Sequence, residues 1–461
     1  MIDQSSTICA IATPYGMGAI SVIRLSGPKA FEICDSVVHN KKISDKDSHT
    51  VHLRRIYDDK EFVDEVLITI FKAPNSYTGE DVIEISCHGS LYIQQKIVEL
   101  LIKKGARHAQ PGEFTMRAFL NGKMDLSQAE AVADLIQSSS KSFHDVAINQ
   151  FRGGYSQQID ILRQQLLEYA SLIELELDFS EEDVEFANRG ELLSKINEIQ
   201  SLIKSLIESF QYGNVVKKGI PVAIIGQPNI GKSTLLNAIL KEEKAIVSEI
   251  PGTTRDVIED YINIKGIIFR FIDTAGIRHT SDSLEALGIQ KTFSNIEKAS
   301  IILFMVGLEN TPEEICNYIQ SFNLKENQRL VIIINKIDKY ENNILNNCLI
   351  SLKKHVSYPI IPISAKKGIN LHEIHDFLLK TIENIDITSN SIIVTNIRHY
   401  EALKNAYDAG VRLIDGINSG LSNDLVAEEL RQMLYHLGTI TGQITTDEIL
   451  QNIFKNFCIG K

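Results

Sequence analysis

A glycine-rich octet in the middle of the chain has the residue types and spacing that bind phosphate. The octet at 226–233 reads G-x-x-x-x-G-K-S and lies between the apolar run VAII and the helix-forming run TLLNAIL. In a strand, loop and helix of this kind, backbone N–H groups of the loop and of the helix N-terminus point at phosphate oxygens. The ammonium of Lys232 neutralises charge on the β- and γ-phosphates, and the hydroxyl of Ser233 can bind Mg²⁺. The octet therefore predicts a nucleoside triphosphate site, with further contacts from Asn229, Ile230, Gly231 and Thr234.

Two later motifs have the form of nucleotide-dependent switches. In P-G-T-T-R-D at 251–256, the hydroxyl of Thr254 can bind Mg²⁺ while the γ-phosphate is present, which orders the loop until hydrolysis releases it. D-T-A-G at 273–276 follows the apolar run IIFRFI, so Asp273 can support the metal while the N–H of Gly276 approaches the γ-phosphate. These segments add further residues to the predicted GTP contacts: Ser248, Glu249, Ile250, Pro251, Gly252, Thr253, Thr274 and Ala275.

Two more motifs indicate which purine is bound. N-K-I-D at 335–338 follows the apolar run LVIII, and the Asp338 carboxylate can accept hydrogen bonds from the guanine N1–H and 2-amino group. Adenine offers neither donor in that arrangement and would leave the carboxylate unpaired, so the motif favours GTP over ATP. S-A-K at 364–366 follows the next apolar run, where the Ala365 N–H can reach the guanine O6. Asn335, Lys336 and Ser364 complete the predicted GTP contacts.

The hydrolytic machinery departs from the commonest pattern. Ile277 stands after D-T-A-G, where a glutamine would orient the attacking water. Glu285 is the candidate replacement, the alternative being an ordinary exposed glutamate on a helix, and Lys232 is the predicted catalytic cation. The side-chain oxygen of Asn229 could bind a monovalent cation that bridges the phosphates.

Composition limits the other classes of function. At about 150 residues per domain, 461 residues predict roughly three domains, and 44% hydrophobic with 23% charged residues is typical of a globular protein. The formal charge of −12 argues against broad electrostatic capture of nucleic acid or anionic lipid, so any RNA contact is local or partner-assisted. The scattered cysteines predict reduced thiols without a zinc site. With no basic signal segment and no long apolar run, we expect a cytoplasmic protein without membrane contact.

The pattern along the chain predicts a multidomain α/β protein. Short β-rich runs with a helical run predict an α+β domain over 1–120, and helical periodicity predicts a helical domain over 121–216. Short buried strands between helix-length segments predict a parallel α/β domain over 217–382. Amphipathic helix returns over 383–461, which indicates that the α/β domain is inserted into one helical domain built from both flanks. The acidic stretch 174–185 is interpreted as a solvated or capping face.

Several motifs together resemble the MnmE (TrmE) family of tRNA-modification GTPases, within the TrmE-Era-EngA superfamily. The nucleotide-site motifs are Asn229 in the phosphate loop, V-S-E-I-P-G-T-T-R-D at 247–256 and D-T-A-G-I-R at 273–278. Those outside it are A-T-P-Y-G at 12–16, P-G-E-F-T-M-R-A-F-L-N-G-K-M-D-L-S-Q-A-E-A at 111–131 and F-C-I-G-K at 457–461. The likeness spans essentially the whole chain.

This resemblance implies a folate-binding N-terminal domain that forms a homodimer, a discontinuous helical domain and an inserted Ras-like P-loop GTPase domain. It implies a potassium-dependent GTPase that forms a heterotetramer with the FAD-dependent partner MnmG. Together they would install an aminomethyl or carboxymethylaminomethyl group at C5 of the wobble uridine of certain tRNAs. A tetrahydrofolate derivative, 5,10-methylene or 5-formyl, would be the one-carbon cofactor.

The resemblance also implies roles for particular residues. Ser233 and Thr254 would bind Mg²⁺, and Glu285 would orient water. Potassium would be held by Asn229, Ser248, Ile250 and Thr253. Folate would be bound by Arg24, Glu80, Lys123 and Lys461.

An alternative function is that of a ribosome-assembly GTPase that binds rRNA without substrate chemistry. Related GTPases of this kind append an RNA-binding module, but no G-x-x-G loop or basic stripe follows residue 381. The sequence therefore favours the tRNA-modification hypothesis.

Overall fold

The computed structural model describes residues 5–38, 42–178, 188–242, 259–272, 293–325, 328–381, 392–455 and 457–460. The chain divides into two compact units. The first contains residues 1–136, 147–203 and 401–461, and the second contains 137–146 and 204–400.

The first unit contains a mixed sheet with helices against one face. Its strands are β1 (Ile8–Ile11), β2 (Ile20–Ser26), β3 (Thr50–Asp58), β4 (Glu61–Phe71), β5 (Val82–His88) and β6 (Arg107–His108), in the order β3-β4-β5-β2-β1-β6. Only the β1–β6 pair is parallel. Helices α1 (Ala30–Val37) and α2 (Leu91–Lys103) share one buried cluster with alternate strand residues such as Ile23, Ile68 and Ile85. This arrangement positions the other side chains of β2 and β5 away from that core.

Helices from both ends of the chain pack together in the first unit. The helices that precede the second sheet are α3 (Glu113–Leu120), α4 (Leu126–Gln137), α5 (Lys141–Phe151), α6 (Gly154–Asp178) and α7 (Arg189–Lys218), of which α5 and α7 have residues in both units. The side chain of Gln200 on α7 donates a 2.8 Å hydrogen bond to the Tyr407 carbonyl. Arg189 binds both Glu176 and Asn423. Glu176 is 3% exposed, so the solvated interpretation of the acidic stretch is wrong at this residue, because a buried carboxylate requires a partner.

The second unit is built around a sheet with a core on each face. Its strands are β7 (Ile220–Gly226), β8 (Asp260–Ile264), β9 (Ile267–Phe271), β10 (Ile301–Val306), β11 (Arg329–Ile334) and β12 (Ile360–Pro362), in the order β12-β11-β10-β7-β9-β8. Alternate residues of β10 enter two different buried clusters, Leu303 in one and Phe304 in the other. Among its described residues, helices include α8 (Lys232–Glu242), α9 (Pro312–Ser321), α10 (Asn342–His355) and α11 (Leu371–Lys380). Burial on both faces is the reason these strands are continuous apolar runs.

The edge strand β8 was not among the predicted strands. It pairs antiparallel with β9 through a turn at Lys265 and Gly266, so the sheet is not entirely parallel. Only Ile262 and Ile264 of β8 are buried, and such a short alternating pattern is weak in sequence. The turn is also held from α5, because the Ser142 hydroxyl donates a 2.9 Å hydrogen bond to the Gly266 carbonyl.

The segments through which the chain enters and leaves the second sheet contact each other. Val394 N–H donates a 3.1 Å hydrogen bond to the Ser209 hydroxyl of α7, and the rings of Phe210 and Tyr400 stack with centroids 4.5 Å apart. The final helices are α12 (Ile397–Asn418), α13 (Asn423–Thr441) and α14 (Asp447–Phe454). All six cysteines are free, as predicted. Within the described ranges, no helix has the length and apolar character needed to cross a membrane.

Candidate functional site

The glycine-rich octet forms a loop between β7 and α8. β7 ends at Gly226 and α8 begins at Lys232, which is the predicted strand, loop and helix. Gly231 has φ +107, and a Cβ atom added there would collide with the side-chain nitrogen of Asn335. Asn229 adopts the left-handed conformation with φ +60, which asparagine tolerates better than most residues. The loop therefore depends on these residue types for its shape.

Lys232 folds back over the loop that it follows. Its ammonium donates hydrogen bonds of 2.7 Å to the Gly226 carbonyl and 2.9 Å to the Gln227 carbonyl. Burial lowers the pKa of this ammonium, and an anionic phosphate beside it would act in the opposite direction. When a triphosphate binds, the Lys232 ammonium would therefore leave these two carbonyl oxygens and pair with charged phosphate oxygens.

The N-K-I-D motif, predicted to recognise the base, is hydrogen-bonded to the glycine-rich loop. The side-chain nitrogen of Asn335, a residue 4% exposed, donates a 2.9 Å hydrogen bond to the Ile230 carbonyl. The Lys336 ammonium donates a 2.9 Å hydrogen bond to the Asn229 carbonyl. The Ala365 N–H, predicted to reach the guanine O6, donates here to the Asn335 side-chain oxygen at 3.1 Å. Asn335 thus links the phosphate loop to the S-A-K segment, a function its position in N-K-I-D did not reveal.

Asp338 is held as an acceptor at the end of β11. The buried Ser364 hydroxyl donates a 2.7 Å hydrogen bond to Oδ1, and the Lys367 ammonium lies 3.8 Å from Oδ2. The hydrogen bond from Ser364 is the main cause of the lowered pKa of Asp338. The carboxylate is therefore ionised at neutral pH, as recognition of two guanine donors requires. Lys367 could not be predicted from the sequence, because lysines at an exposed turn carry no distinguishing signal.

A cavity of about 450 Å³ lies between the start of α8 and the S-A-K loop. This volume is within the range of small-molecule sites. Of the predicted residues, it brings together Ser233, Thr234 and Ala365. It is also lined by Asn237 and Lys241, which sequence reasoning missed although they follow Ser233 at the four-residue spacing of one helix face.

Among the predicted folate residues, Arg24 is anchored on the first sheet. Its Nη2 lies 2.8 Å from Oε1 of Glu84 on the adjacent strand. The guanidinium carbon lies 5.1 Å from the Tyr77 ring centroid and 5.6 Å from that of Phe114, which is cation–π distance. Nη1 also donates a 3.4 Å hydrogen bond to the Gly460 carbonyl. The C-terminal tail therefore reaches Arg24, and the predicted Lys461 is the next residue.

Glu80 and Lys123 are both close to Gly79, Glu80 as the next residue in the chain and Lys123 through its side-chain stem. Glu80, whose side chain is 15% exposed, accepts a 2.7 Å hydrogen bond from Ser26, two residues from Arg24 on β2. The Lys123 ammonium donates to the Pro74 carbonyl at 3.0 Å, and its Cδ would lie 3.4 Å from a Cβ atom at Gly79. The stem of Lys123 therefore lies against the backbone at Gly79, the residue that precedes Glu80.

Comparison with known proteins decides the family. The model described as GTP-binding protein TrmE N-terminus matches residues 7–123, and the MnmE helical domain matches residues 126–458. The chain belongs to the MnmE family. The tRNA modification GTPase MnmE of Cytophaga hutchinsonii is 51% identical over 100% of this chain and 98% of its own length. The protein of that name from Flavobacterium johnsoniae is 51% identical over all of both chains. Among solved structures, Aquifex aeolicus Era is 32% identical over 42% of this chain and 67% of that chain, with a TM-score of 0.28.

Membership of the MnmE family confirms the predicted family and the multidomain α/β class, and the predicted enzyme class is the one this family's name states. Part of the MnmE site prediction lies outside the described residues. The residues concerned are Ser248, Glu249, Ile250, Pro251, Gly252, Thr253, Thr254, Asp273, Thr274, Ala275, Gly276, Glu285 and Lys461. Their roles stay predictions.

Proposed function

We propose that this chain is a potassium-dependent GTP hydrolase that acts with an FAD-dependent MnmG partner. Together they install an aminomethyl or carboxymethylaminomethyl group at C5 of the wobble uridine of certain tRNAs, with a one-carbon unit from methylene-tetrahydrofolate. The observation that carries the nucleotide part is the ionised Asp338, held by Ser364, beside Asn335 and Lys336 that bind the phosphate loop. The family membership supports the tRNA part.

The residues at the phosphate loop suit a triphosphate with its magnesium ion. The hydroxyl-bearing Ser233 lines the cavity at the first turn of α8, where helix N–H groups favour anions. Lys232 and the loop amides would bind the β- and γ-phosphates, while Ser233 and Thr254 would hold Mg²⁺, which supplies charge neutralisation when bound.

Potassium and water would complete the hydrolytic site. Asn229 occupies a left-handed position inside the phosphate loop, and its side-chain oxygen is a suitable ligand for a monovalent cation. Ser248, Ile250 and Thr253 would supply the other ligands. Glu285 would orient the attacking water in place of the missing glutamine.

The first sheet offers a chemically consistent folate site. A pterin carries an amide N–H and an amino group that one carboxylate can accept together, which fits Glu80. The anionic tail of a folate fits Arg24, Lys123 and Lys461. In this proposal the folate domain covers residues 1–120 and forms the homodimer, the G domain covers 217–382, and MnmG binds to give a heterotetramer in the cytoplasm.

The nucleotide part is tested by steady-state hydrolysis at equal ionic strength in potassium and sodium buffers. We expect GTP to be hydrolysed faster in potassium and ATP to be a poor substrate in both. Equal rates in the two buffers would remove the potassium site, and a preference for ATP would remove the guanine assignment.

The tRNA part is tested in a strain that lacks this chain. We expect the wobble-uridine modification to disappear and to return when the chain is supplied. Intact modification in the deletion strain would instead favour the ribosome-assembly alternative.

A further inference from the structure

The guanidinium of Arg117 lies directly behind the Glu80 carboxylate. Arg117, on α3, has no exposed surface. Its Nη1 donates to both Glu80 oxygens, at 3.0 and 3.2 Å, and to the Ser6 carbonyl at 2.9 Å. A buried arginine is stabilised only where anionic or carbonyl oxygens replace its hydration, and Glu80 supplies two of those oxygens.

A second carboxylate balances the other half of Arg117. Nη2 donates a 3.1 Å hydrogen bond to Glu113, which is itself fully buried. Burial would raise the pKa of Glu113, but hydrogen bonds from Arg107, the Gln110 N–H and Arg117 outweigh that effect and lower the pKa. Glu113 therefore binds the second terminal nitrogen of Arg117. The network of Arg107, Arg117, Glu80 and Glu113 contains two positive and two negative charges.

This arrangement fixes the orientation of Glu80 at the site surface. The carboxylate receives hydrogen bonds from Arg117 on the buried side and from Ser26, while 15% of the side chain stays exposed. A carboxylate held in this way loses little rotational freedom when a ligand binds, so less affinity is lost to ordering.

We propose that Arg117 is a positioning residue of the folate site, which orients the Glu80 carboxylate without touching the ligand. This assignment rests on the proposed folate function. It predicts that Arg117 acts on ligand affinity only through Glu80. A residue needed only for folding would lower affinity whether or not Glu80 carried a charge.

A double-mutant cycle on the full chain separates the two cases. Binding of 5-formyl-tetrahydrofolate is measured by calorimetry for Arg117→Lys, for Glu80→Gln and for the double variant. Lysine keeps the charge but cannot make the same pair of hydrogen bonds from a planar fork, so we expect Arg117→Lys to bind at least about 10-fold more weakly. The double variant should bind as Glu80→Gln does. If the double variant instead lost affinity by the product of the two single-variant factors, the assignment would be overturned.

The matched control is Arg55→Lys. Arg55 lies on β3 of the same sheet, and its ion pair is with Glu65 at 2.9 Å, outside the Glu80, Arg117 and Glu113 network. Its substitution should leave folate affinity within about 2-fold, and a loss as large as that of Arg117→Lys would count against the assignment.

Near-ultraviolet circular dichroism reports whether each variant folds. Arg117→Gln replaces Arg117→Lys in the cycle if the lysine variant does not fold, and failure of both to fold would make Arg117 a structural residue. If the unsubstituted chain binds no folate, the folate function fails and this assignment fails with it. If the chain binds folate and the losses multiply, only this assignment fails.

Discussion

In the proposed nucleotide site, base selection would depend on Asp338. Its carboxylate is ionised and fixed by the Ser364 hydroxyl, ready to accept from the guanine N1–H and 2-amino group. In Asp338→Asn the side chain places an amide donor against one of these groups, so we expect GTP affinity to fall by about 100-fold or more. Xanthosine triphosphate carries a carbonyl in place of the 2-amino group and should bind this variant better than GTP does. Competition against a fluorescent nucleotide measures both affinities.

A control for that experiment is Asp376→Asn. Asp376 is an exposed aspartate on α11, so its substitution should leave both affinities unchanged. If Asp338→Asn bound GTP as tightly as the unsubstituted chain, base recognition would have to come from another residue.

The residues of the nucleotide site could be predicted because their spacing is local. Lys232 and Asn335 lie in short motifs whose chemistry is set by the strand that precedes them. The partners of Arg24 and Glu80 were missed because they are distant in sequence: Glu84 is 60 residues from Arg24, and Arg117 is 37 residues from Glu80. Only the folded sheet and α3 bring these pairs together.

Helix α7 shows at the scale of elements what periodicity can predict. Apolar residues recur along it with a period of 3.6, and Leu192, Ile196, Ile199 and Ile203 are buried. Leu202 is equally apolar but is 42% exposed, because consecutive helix residues point about 100° apart and it therefore lies off the face that contains Ile203. The pattern also gave no sign that Gly213 must lack a side chain.

Gly213→Ala should therefore destabilise the protein although alanine is the better helix former. A Cβ atom at Gly213 would collide with the Val394 carbonyl oxygen and lie 3.1 Å from the Thr395 Cα. Helix propensity favours alanine by about 1 kcal/mol, but overpacking against backbone costs about 1–3 kcal/mol. We expect a net loss of about 1 kcal/mol in the free energy of unfolding, measured by urea denaturation.

The control lies two residues earlier on the same helix. Gln211 is exposed, so Gln211→Ala should change stability by less than about 0.5 kcal/mol. If Gly213→Ala proved more stable than the unsubstituted chain, the segment around Val394 would have to move away from α7, and the close approach of the two chain segments would not be required for folding.

For the whole molecule, the formal charge of −12 opposes the approach of a polyanion such as tRNA. Long-range repulsion is screened only partly at about 150 mM salt, where the Debye length is about 8 Å, and favourable binding requires lysine or arginine contacts that release counterions. We therefore expect this chain alone to bind tRNA weakly, and its complex with the proposed FAD-dependent partner to bind at least about 10-fold more tightly. Filter binding at fixed potassium concentration measures each affinity, with the partner alone assayed in parallel so that any gain is assigned to the complex. Tight binding by this chain alone, falling steeply with salt, would mean that a local basic surface outweighs the net charge.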